Sequence, residues 1–236
     1  MASIHREDGR DLLTRAVVPG IVLWGAIVGI GLLLTGPLVA LSRDEESVNK
    51  DLAATRTPLW NNITLWWSHI GNTEYVIAVA VLVALILLWR THNWRLAIVP
   101  VLAISLQATI FVLATMVVGR SRPDVPKLDP APPTSSYPSG HVGASTALYW
   151  SLAMLASRIE RAWLRWLTTI VCILLPFLVT YGRLYRGMHH VTDVAVGMLN
   201  GLLCALLAYA WFRRRDRAER TETTTETSAH QPAPAG

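Results

Sequence analysis

Residues 16–41 read AVVPGIVLWGAIVGIGLLLTGPLVAL, a run of 26 residues without a charged side chain. A helix needs about 20 consecutive, mostly apolar residues to cross the hydrocarbon core of a bilayer, so this run is long enough to cross once. It is also too long for the apolar core of a cleaved signal peptide. We therefore predict an uncleaved membrane helix at this end of the chain.

Five further uncharged runs follow the first one. They are Tyr75–Trp89, Leu96–Gly119, Val142–Ser157, Trp166–Gly182 and Val194–Phe212. The chain of 236 residues is 52% hydrophobic and 16% charged, whereas soluble domains carry about 25% charged residues. A soluble all-helical protein is the alternative, but its amphipathic helices would show charges in every turn. We predict an all-α integral membrane bundle of six transmembrane helices.

The basic residues are distributed unevenly over the predicted loops. Of 21 lysines and arginines, thirteen fall within 1–15, 90–95, 158–165 and 213–220, which a six-helix topology places on one side. The positive-inside rule puts that side, and both termini, in the cytoplasm. The net charge of +5 is therefore a topological signal, and we expect no nucleic-acid partner. Because Arg, Ala, Leu and Val dominate, we expect a multi-pass protein of a bacterial inner membrane.

These boundaries define the predicted organisation. A charged cytoplasmic leader (1–15) precedes the six-helix domain (16–212), and a polar tail (213–236) is predicted to be disordered in the cytoplasm. The loops 42–73 and 120–140 then face outward. Trp60, Trp66 and Trp67 predict an interfacial segment in the first loop. Six prolines predict a rigid, irregular cap in the second, and whether this cap moves as a lid is left open.

Two smaller patterns concern packing. Gly197 and Gly201 lie four residues apart in the last predicted helix, a spacing typical of closely packed membrane helices. Cys172 and Cys204 fall in the middle of predicted helices and are not spaced as a CxxC motif. We predict that both cysteines are small core residues without a disulfide.

Three polar motifs lie at the edges of the apolar runs. They are Arg122-Pro123, Pro138-Ser139-Gly140-His141 and Arg183-x5-His189-x3-Asp193. Ionisable residues near a bilayer are energetically costly and mark functional sites. All three motifs fall on the extracytoplasmic side of the predicted topology, so they are expected to form one site.

The chemistry of these residues fits a phosphate group. Arginine forks match phosphate oxygens, and the N–H groups that open a helix bind anions. His189 and Asp193 have the spacing of neighbours on one helix face. We expect a His189 ring nitrogen to donate to Asp193, which leaves the other nitrogen as a nucleophile or base. Each motif alone also fits a structural role, as a helix cap, a snorkelling arginine or a His–Asp pair.

The combination resembles the type 2 phosphatidic acid phosphatase (PAP2) superfamily, membrane enzymes whose six-helix domain carries KxxxxxxRP, PSGH and SRxxxxxHxxxD. The second motif is complete at residues 138–141. The third reads GRLYRGMHHVTD at residues 182–193, with Gly182 where serine is usual. The resemblance covers the motifs, their order and the predicted helix count.

This resemblance implies a role for each residue. His189 would be the nucleophile that forms a phosphohistidine, and Asp193 would orient and stabilise it. His141 would protonate the leaving oxygen and then activate water. The phosphoryl oxygens would be held by Arg122, Ser139, Gly140 and Arg183. His190 is a rival nucleophile by adjacency, but the motif spacing selects His189.

One position departs from the family pattern. Thr115 stands where the first motif has its lysine, and a hydroxyl supplies no charge. Losing a charge-assisted contact costs about 1.5–3 kcal/mol. Arg120, Lys127 and Arg186 are candidates to supply the missing charge. The sequence shows no carboxylate cluster with metal-ligand spacing, so we predict that the site uses neither a metal nor another cofactor.

The resemblance implies hydrolysis of a lipid phosphate or diphosphate at the outer membrane face. Candidate substrates are a polyprenyl diphosphate, which the outward-facing site favours slightly, phosphatidic acid and phosphatidylglycerol phosphate. A lipid phosphotransferase with the same nucleophile is an alternative, as is a catalytically degraded lipid-binding or transport protein, which Thr115 alone favours. Related haloperoxidases have a similar anion site but are soluble, which the apolar runs exclude. The sequence leaves the oligomeric state open.

Overall fold

The computed structural model describes the backbone of residues 6–229 and the side chains of 9–41, 43–214 and 216. Within these ranges the chain forms α-helices and no strand. In chain order they are α1 (Arg6–Leu12), α2 (Val18–Thr35), α3 (Val39–Ala54), α4 (Pro58–Ile70), α5 (Thr73–Thr91), α6 (Trp94–Ala97), α7 (Val99–Val117), α8 (Gly140–Leu155), α9 (Ala162–Tyr185) and α10 (Val191–Ala229). A π-helix (Leu13–Val17) joins α1 to α2, and a 3-10 turn (Ala156–Arg158) follows α8. The predicted all-α membrane bundle is confirmed.

Five helical segments in the described residues are long and apolar enough to cross a membrane. They are Gly9–Thr35, Thr73–Thr91, Val99–Val117, Ala162–Tyr185 and Val191–Arg214. The remaining predicted span coincides with α8, which has 16 residues and is therefore about 24 Å long at 1.5 Å per residue. That length falls short of the roughly 30 Å of a bilayer's hydrocarbon core. A count of six spans therefore stays a prediction.

Helix α8 lies at the centre of the bundle. It packs against α10, α9 and α7, with a further contact to α5. Val142, Ala147 and Leu148 are fully buried there. Because protein rather than lipid surrounds most of this helix, its polar residues Ser145 and Thr146 are tolerated through hydrogen bonds to the Val142 carbonyl. The first residues of α8 are consequently held in a defined place at one end of the bundle.

The segment 42–73, predicted as a loop, is largely helical. Helix α3 covers its first part and α4 its second, with Thr57 capping α4 through a 3.3 Å bond from the Trp60 N–H. Helix α4 packs against α9 and leaves Leu59 and Trp66 exposed by 67% and 69%. Asn, Thr, Ser and His residues interrupt the apolar residues of this short helix, so its sequence does not predict a membrane span; it covers the tryptophans of the predicted interfacial segment.

The two terminal segments are helical where the structure describes them. The leader is helical from Arg6 and continues without a break into α2. Helix α10 runs on to Ala229, so residues 213–229 are helical rather than disordered. Arginine, glutamate and alanine are good helix formers, so the charged segment can prolong an existing helix. Residues 1–5 and 230–236 of the predicted leader and tail lie outside the described residues.

The glycine pair in α10 is a close-packing contact, as predicted. A Cβ atom added to Gly197 would lie 2.6 Å from the Ser139 carbonyl oxygen, and one added to Gly201 would lie 2.6 Å from the Cβ atom of Thr146. No side chain fits between the two backbones at these positions. The contact holds the N-terminus of α8 against the first turns of α10. Elsewhere in the bundle, Cys172 and Cys204 are buried and unpaired, also as predicted.

Candidate active site

All three polar motifs meet at one end of the bundle, around a cavity of about 510 Å³. Polar residues that line it include Ser68, His69, Asn72, Arg122, Asp129, His141, Arg183 and His189. Ser139 and Asp193 do not line this cavity, and both are buried behind its wall. The Ser139 N–H donates to the Asp193 carbonyl at 2.9 Å, which joins the second motif directly to the third.

His189 lies in the short connection between α9 and α10 and is buried. Its Nδ1 atom is 2.7 Å from the backbone carbonyl oxygen of Ser136. A carbonyl oxygen only accepts hydrogen bonds, so Nδ1 must carry the ring proton and Nε2 keeps its lone pair. Asn49 donates to the His189 carbonyl at 3.0 Å and fixes the backbone as well. The imidazole is therefore held in the tautomer that a nucleophile at Nε2 requires.

The predicted hydrogen bond between His189 and Asp193 is absent. The Asp193 Oδ2 atom is 3.9 Å from His189 Nδ1, beyond hydrogen-bond distance. The physical reason is that α10 begins at Val191, so only Asp193 of the pair lies on the helix. The spacing rule for one helix face does not apply to a residue that precedes the helix.

Asp193 instead organises the turn that carries His189. Its Oδ2 atom accepts from the His190 N–H at 2.8 Å and lies 3.3 Å from His190 Nδ1. An acidic residue in the first helical turn that reaches back to the N–H at the helix start resembles half of a capping box. His190, the rival nucleophile, is therefore engaged with Asp193 and with Glu46, which is 3.5 Å from its Nε2 atom.

Arg120 ties this turn to α3. Its Nη1 atom donates to Thr192 Oγ1 and Asp193 Oδ1, each at 2.6 Å, and its Nη2 atom donates to Glu45 Oε2 at 2.9 Å. Glu45 also accepts from the Thr192 N–H at 3.0 Å. Arg120 and Glu45 are both buried, so each compensates the charge of the other. Arg120 is a structural cation rather than a replacement for the missing lysine.

Arg122 and Arg183 both line the cavity. Arg122 donates from Nη1 to the Met188 carbonyl at 2.8 Å, next to His189. Arg183 donates from Nη1 to Ser68 Oγ and to Asp129 Oδ2, each at 2.9 Å. The Nε atom of each arginine is buried and has no hydrogen-bond partner among the described residues. Buried donors of this kind are expected to have a partner, so these two arginines have donors left for a bound anion.

The second motif opens α8 as predicted. Ser139 is the residue before the helix, but its hydroxyl makes no capping bond, and its Oγ atom has no partner within the described part of the chain. The first N–H groups of any helix lack partners in their own helix. Gly140 lets the Phe111 ring approach, since an added Cβ atom would lie 2.8 Å from it. His141 lines the cavity directly after this glycine.

The position of the missing lysine is not compensated by the residues we expected. Thr115 donates to the Val112 carbonyl of its own helix at 2.8 Å. Neither Thr115 nor any of Arg120, Lys127 and Arg186 is among the residues that line the cavity. The two arginines that line it are therefore those already named by the motifs.

The charge environment favours a neutral His189. Burial lowers the pKa of His189, and the neighbouring Arg183 and Arg122 charges lower it further, while Asp193 opposes them. At neutral pH the imidazole is therefore unprotonated, as a nucleophile must be. Among the described residues, no group of three or more His, Cys, Asp or Glu is placed to hold a metal ion.

Sequence reasoning missed several residues of this site. The Ser136 carbonyl that holds His189 has no signature in the sequence, because any residue supplies a carbonyl. Ser68 and His69 reach the cavity from α4, which was taken for a loop. Asp129 has a weak signal in the sequence, since it is one of only two acids between the prolines of the loop 120–140.

These features define a helical membrane protein with a buried, neutral imidazole and two arginines around one cavity. The family model of the PAP2 superfamily matches residues 98–217, half of the chain. The chain belongs to this superfamily. The match begins at the N-terminus of α7 and covers all three motifs.

Solved structures show the same fold. The chain is similar to the first transmembrane PAP2-type phosphatidylglycerolphosphate phosphatase from Bacillus subtilis, with 20% identity and a TM-score of 0.72 over 84% of this chain and 96% of that one. It is also similar to LpxE from Aquifex aeolicus, with 22% identity and a TM-score of 0.55 over 70% of this chain and 93% of that one. No curated protein sequence matches.

Proposed function

We propose that this protein hydrolyses a lipid phosphate or diphosphate through a phosphohistidine on His189. The observation that carries the proposal is the 2.7 Å bond from His189 Nδ1 to the Ser136 carbonyl, which leaves Nε2 unprotonated. The same imidazole lines a cavity with Arg122 and Arg183. A nucleophile and cations around one cavity are the parts that phosphoryl transfer needs.

The proposed reaction has two steps. In the first, His189 Nε2 attacks phosphorus, the P–N bond forms, and the P–O bond to the lipid breaks as His141 gives its proton to the leaving oxygen. In the second, His141 takes a proton from water, the water oxygen attacks phosphorus, and the P–N bond breaks to release phosphate. His141 thus returns to its protonated state and His189 to its neutral one. Burial and the Arg183 charge lower the pKa of His141 to about 3, so in this scheme its proton arrives with the substrate, whose negative charge raises the pKa of His141 again.

The remaining site residues stabilise charge in this scheme. Arg122, Arg183 and the N–H groups at Gly140 bind the phosphoryl oxygens, whose negative charge is redistributed in the transition state. Ser139 stands behind Gly140 with a buried hydroxyl that has no partner among the described residues, and in this scheme it supplies a further donor. Asp193 holds the turn at His190 that carries His189, and its negative charge near His189 stabilises the positive charge that forms on the imidazole. No step uses a metal, so activity in EDTA is expected.

The shape of the cavity supports a lipid substrate. Its wall on the membrane side is apolar and comes from α5 and α7: Val76, Ile77, Ile104, Ala108, Phe111 and Val112. Ile77 and Val112 are each 49% exposed on the outside of the bundle. A hydrocarbon tail can therefore leave the cavity between these two helices and remain in the bilayer.

These features favour a lipid phosphate as the substrate, but they do not select its headgroup. A polyprenyl diphosphate, phosphatidic acid and phosphatidylglycerol phosphate all combine a terminal phosphate with an apolar tail. The likeness in fold to a phosphatidylglycerolphosphate phosphatase favours phosphatidylglycerol phosphate. The outward-facing site, which is itself part of the proposal, favours a polyprenyl diphosphate.

The test is phosphate release by detergent-purified protein with EDTA present, using these three lipids. We expect release by the wild type and loss of at least a thousandfold in His189→Ala, because the residue that forms the covalent bond is gone. The exposed His92, outside the site, supplies the matched control His92→Asn, which should retain activity. Acid-labile phosphate trapped on the protein should map to His189 and not to His190.

Three outcomes would contradict the proposal. Full activity in His189→Ala would exclude the nucleophile, and loss of activity in EDTA that added Mg²⁺ restores would exclude metal independence. Loss of phosphate from the lipid that occurs only when a second acceptor is supplied, with the phosphoryl group recovered on that acceptor, would identify a phosphotransferase instead.

A further inference from the structure

Asp129 is the acidic residue of the second outer loop that reaches the cavity. It lies between α7 and α8 in the proline-rich segment and is mostly buried. Its Oδ2 atom accepts from Arg183 Nη1 at 2.9 Å. Its Oδ1 atom accepts from Arg186 Nε at 2.8 Å and lies 2.6 Å from Arg186 Nη2 in the same ion pair. One carboxylate therefore joins a cavity-lining arginine to a second arginine, the residue directly after α9.

The loop around Asp129 is fixed in place. The Leu128 N–H donates to the Arg186 carbonyl at 3.1 Å, and Arg186 Nη2 donates back to the Leu128 carbonyl at 2.9 Å. Arg56 donates to the Pro126 carbonyl at 2.7 Å. These bonds hold the part of the loop just before Asp129 against Arg56 and the end of α9, and so restrict where the carboxylate can lie.

The charge of Asp129 matches its contacts. Burial opposes ionisation, but the hydrogen bond from Arg186 and the charge of Arg183 outweigh it and hold the pKa of Asp129 below its usual value. The carboxylate is therefore ionised at neutral pH. It forms charge-assisted bonds, which are the stronger and more directional kind.

The two arginines use their donors differently. Arg186 also donates to the Asn61 carbonyl at 2.9 Å, so its donors are committed to protein groups. Arg183 has its Nη1 atom committed to Asp129 and Ser68, whereas its buried Nε atom has no partner among the described residues. A long arginine side chain held at one nitrogen is pre-organised to use the others.

We propose that Asp129 is a positioning residue for Arg183: it holds Nη1 beside Ser68 so that the other guanidinium donors face the phosphate. This inference rests on the proposed function, which places a phosphate in the same cavity. Asp129 also binds Arg186, so of these two arginines only Arg183 lines the cavity. The resemblance to the family assigns a role to Arg183 but none to this loop acid.

The test measures binding of inorganic orthovanadate, a phosphate analogue, to the purified full chain by calorimetry. We expect Asp129→Ala to weaken binding about tenfold, within the range of coupling between contacting residues. In the background of Arg183→Ala the same change should have little effect, because Asp129 then has no side chain to position. Asp124→Ala is the matched control on the same loop and should leave binding unchanged.

Two outcomes would overturn the inference. Tighter vanadate binding by Asp129→Ala would mean that the carboxylate competes with the anion. An equal loss in the wild-type and Arg183→Ala backgrounds would mean that Asp129 acts on the fold and not through Arg183. If Asp129→Ala does not fold, Asp129→Asn keeps one acceptor oxygen and should show a smaller loss in the same direction.

The experiment separates this inference from the proposed activity. Vanadate binding that depends on Asp129 and Arg183 together, in a protein that releases no phosphate from lipid, would overturn the phosphatase proposal and support this one. If the wild type releases phosphate from lipid but Asp129→Ala leaves the vanadate affinity unchanged, the phosphatase proposal is supported and this inference is overturned.

Discussion

At the scale of residues, the decisive group is the His189 imidazole with its Nδ1 proton committed to the Ser136 carbonyl. A charged partner on Nδ1 would raise the basicity of the ring strongly. A neutral carbonyl raises the basicity of the ring less than a charged partner would. Burial, together with the charges of Arg183 and Arg122, lowers the pKa of His189. The site therefore keeps its proposed nucleophile available by holding it neutral, while its arginines attract the anion that the nucleophile attacks.

This arrangement predicts the acid side of the pH profile. Because the pKa of His189 lies below its ordinary value of about 6.5, kcat/KM should persist as the pH falls through 6.5 and decline only below it. Arg122→Gln removes one of the charges that lower this pKa, so the acid limb should move to higher pH. The measurement is the kcat/KM profile of both proteins with one substrate.

The comparison between the two proteins contains its own control. A substrate phosphate loses its second proton at about pH 6, but this ionisation is the same for both. An acid limb that does not move in Arg122→Gln, or that moves to lower pH, would contradict the assignment of the limb to His189.

At the scale of elements, the contact between α8 and α10 brings the second motif to the third. Gly197 lies against the Ser139 carbonyl, and Gly201 lies against α8 near Thr146. The bond from the Ser139 N–H to the Asp193 carbonyl extends the same contact to the helix ends. The distance between His141 and His189 is therefore determined by how closely two helices pack and not by either motif alone.

Gly197→Ala is expected to disturb this contact. The added Cβ atom would lie 2.6 Å from a backbone oxygen, which cannot move aside as the end of a flexible side chain could. Overpacking of this kind costs about 1–3 kcal/mol. We expect a lower melting temperature and at least a tenfold loss of activity, measured in the same detergent.

The matched control is Gly29→Ala on α2. No atom lies within 4 Å of a Cβ atom added there, so stability and activity should both be retained. If Gly197→Ala kept full activity, the separation of the two motif segments would not depend on this packing contact.

At the scale of the whole molecule, the proposed topology places the cavity at the outer membrane face. The thirteen basic residues on the other side of the bundle are the basis for this orientation. Lys127 and Arg161 are both exposed and lie in connections on opposite sides of that topology. They therefore offer a direct test of it.

We expect a cysteine at position 127 to react with a membrane-impermeant maleimide in intact cells, and one at position 161 to react only after permeabilisation. Cys172 and Cys204 are buried and should give little background. Labelling of position 161 but not 127 in intact cells would show that the orientation is inverted.

The sequence by itself determined the class of the protein and the identity of its motifs. Uncharged runs such as residues 16–41 predict membrane helices because hydrocarbon imposes one length and one composition on every helix that crosses it. Motif spacing identifies the superfamily because it is a property of the chain alone. Shorter elements are less well determined: the tryptophans of α4 predict an interfacial segment, but its polar residues leave the helix and its bounds unspecified.

Only the tertiary structure decided which groups hold the reacting residues. His189 is bound by Ser136 and not by Asp193, since the helix that would have aligned the latter pair starts two residues after His189. Asp129 meets Arg183 across 54 residues of chain. Such contacts depend on where α8, α9 and the loop come together in space, and a carbonyl or a loop carboxylate carries no local signal of its distant partner.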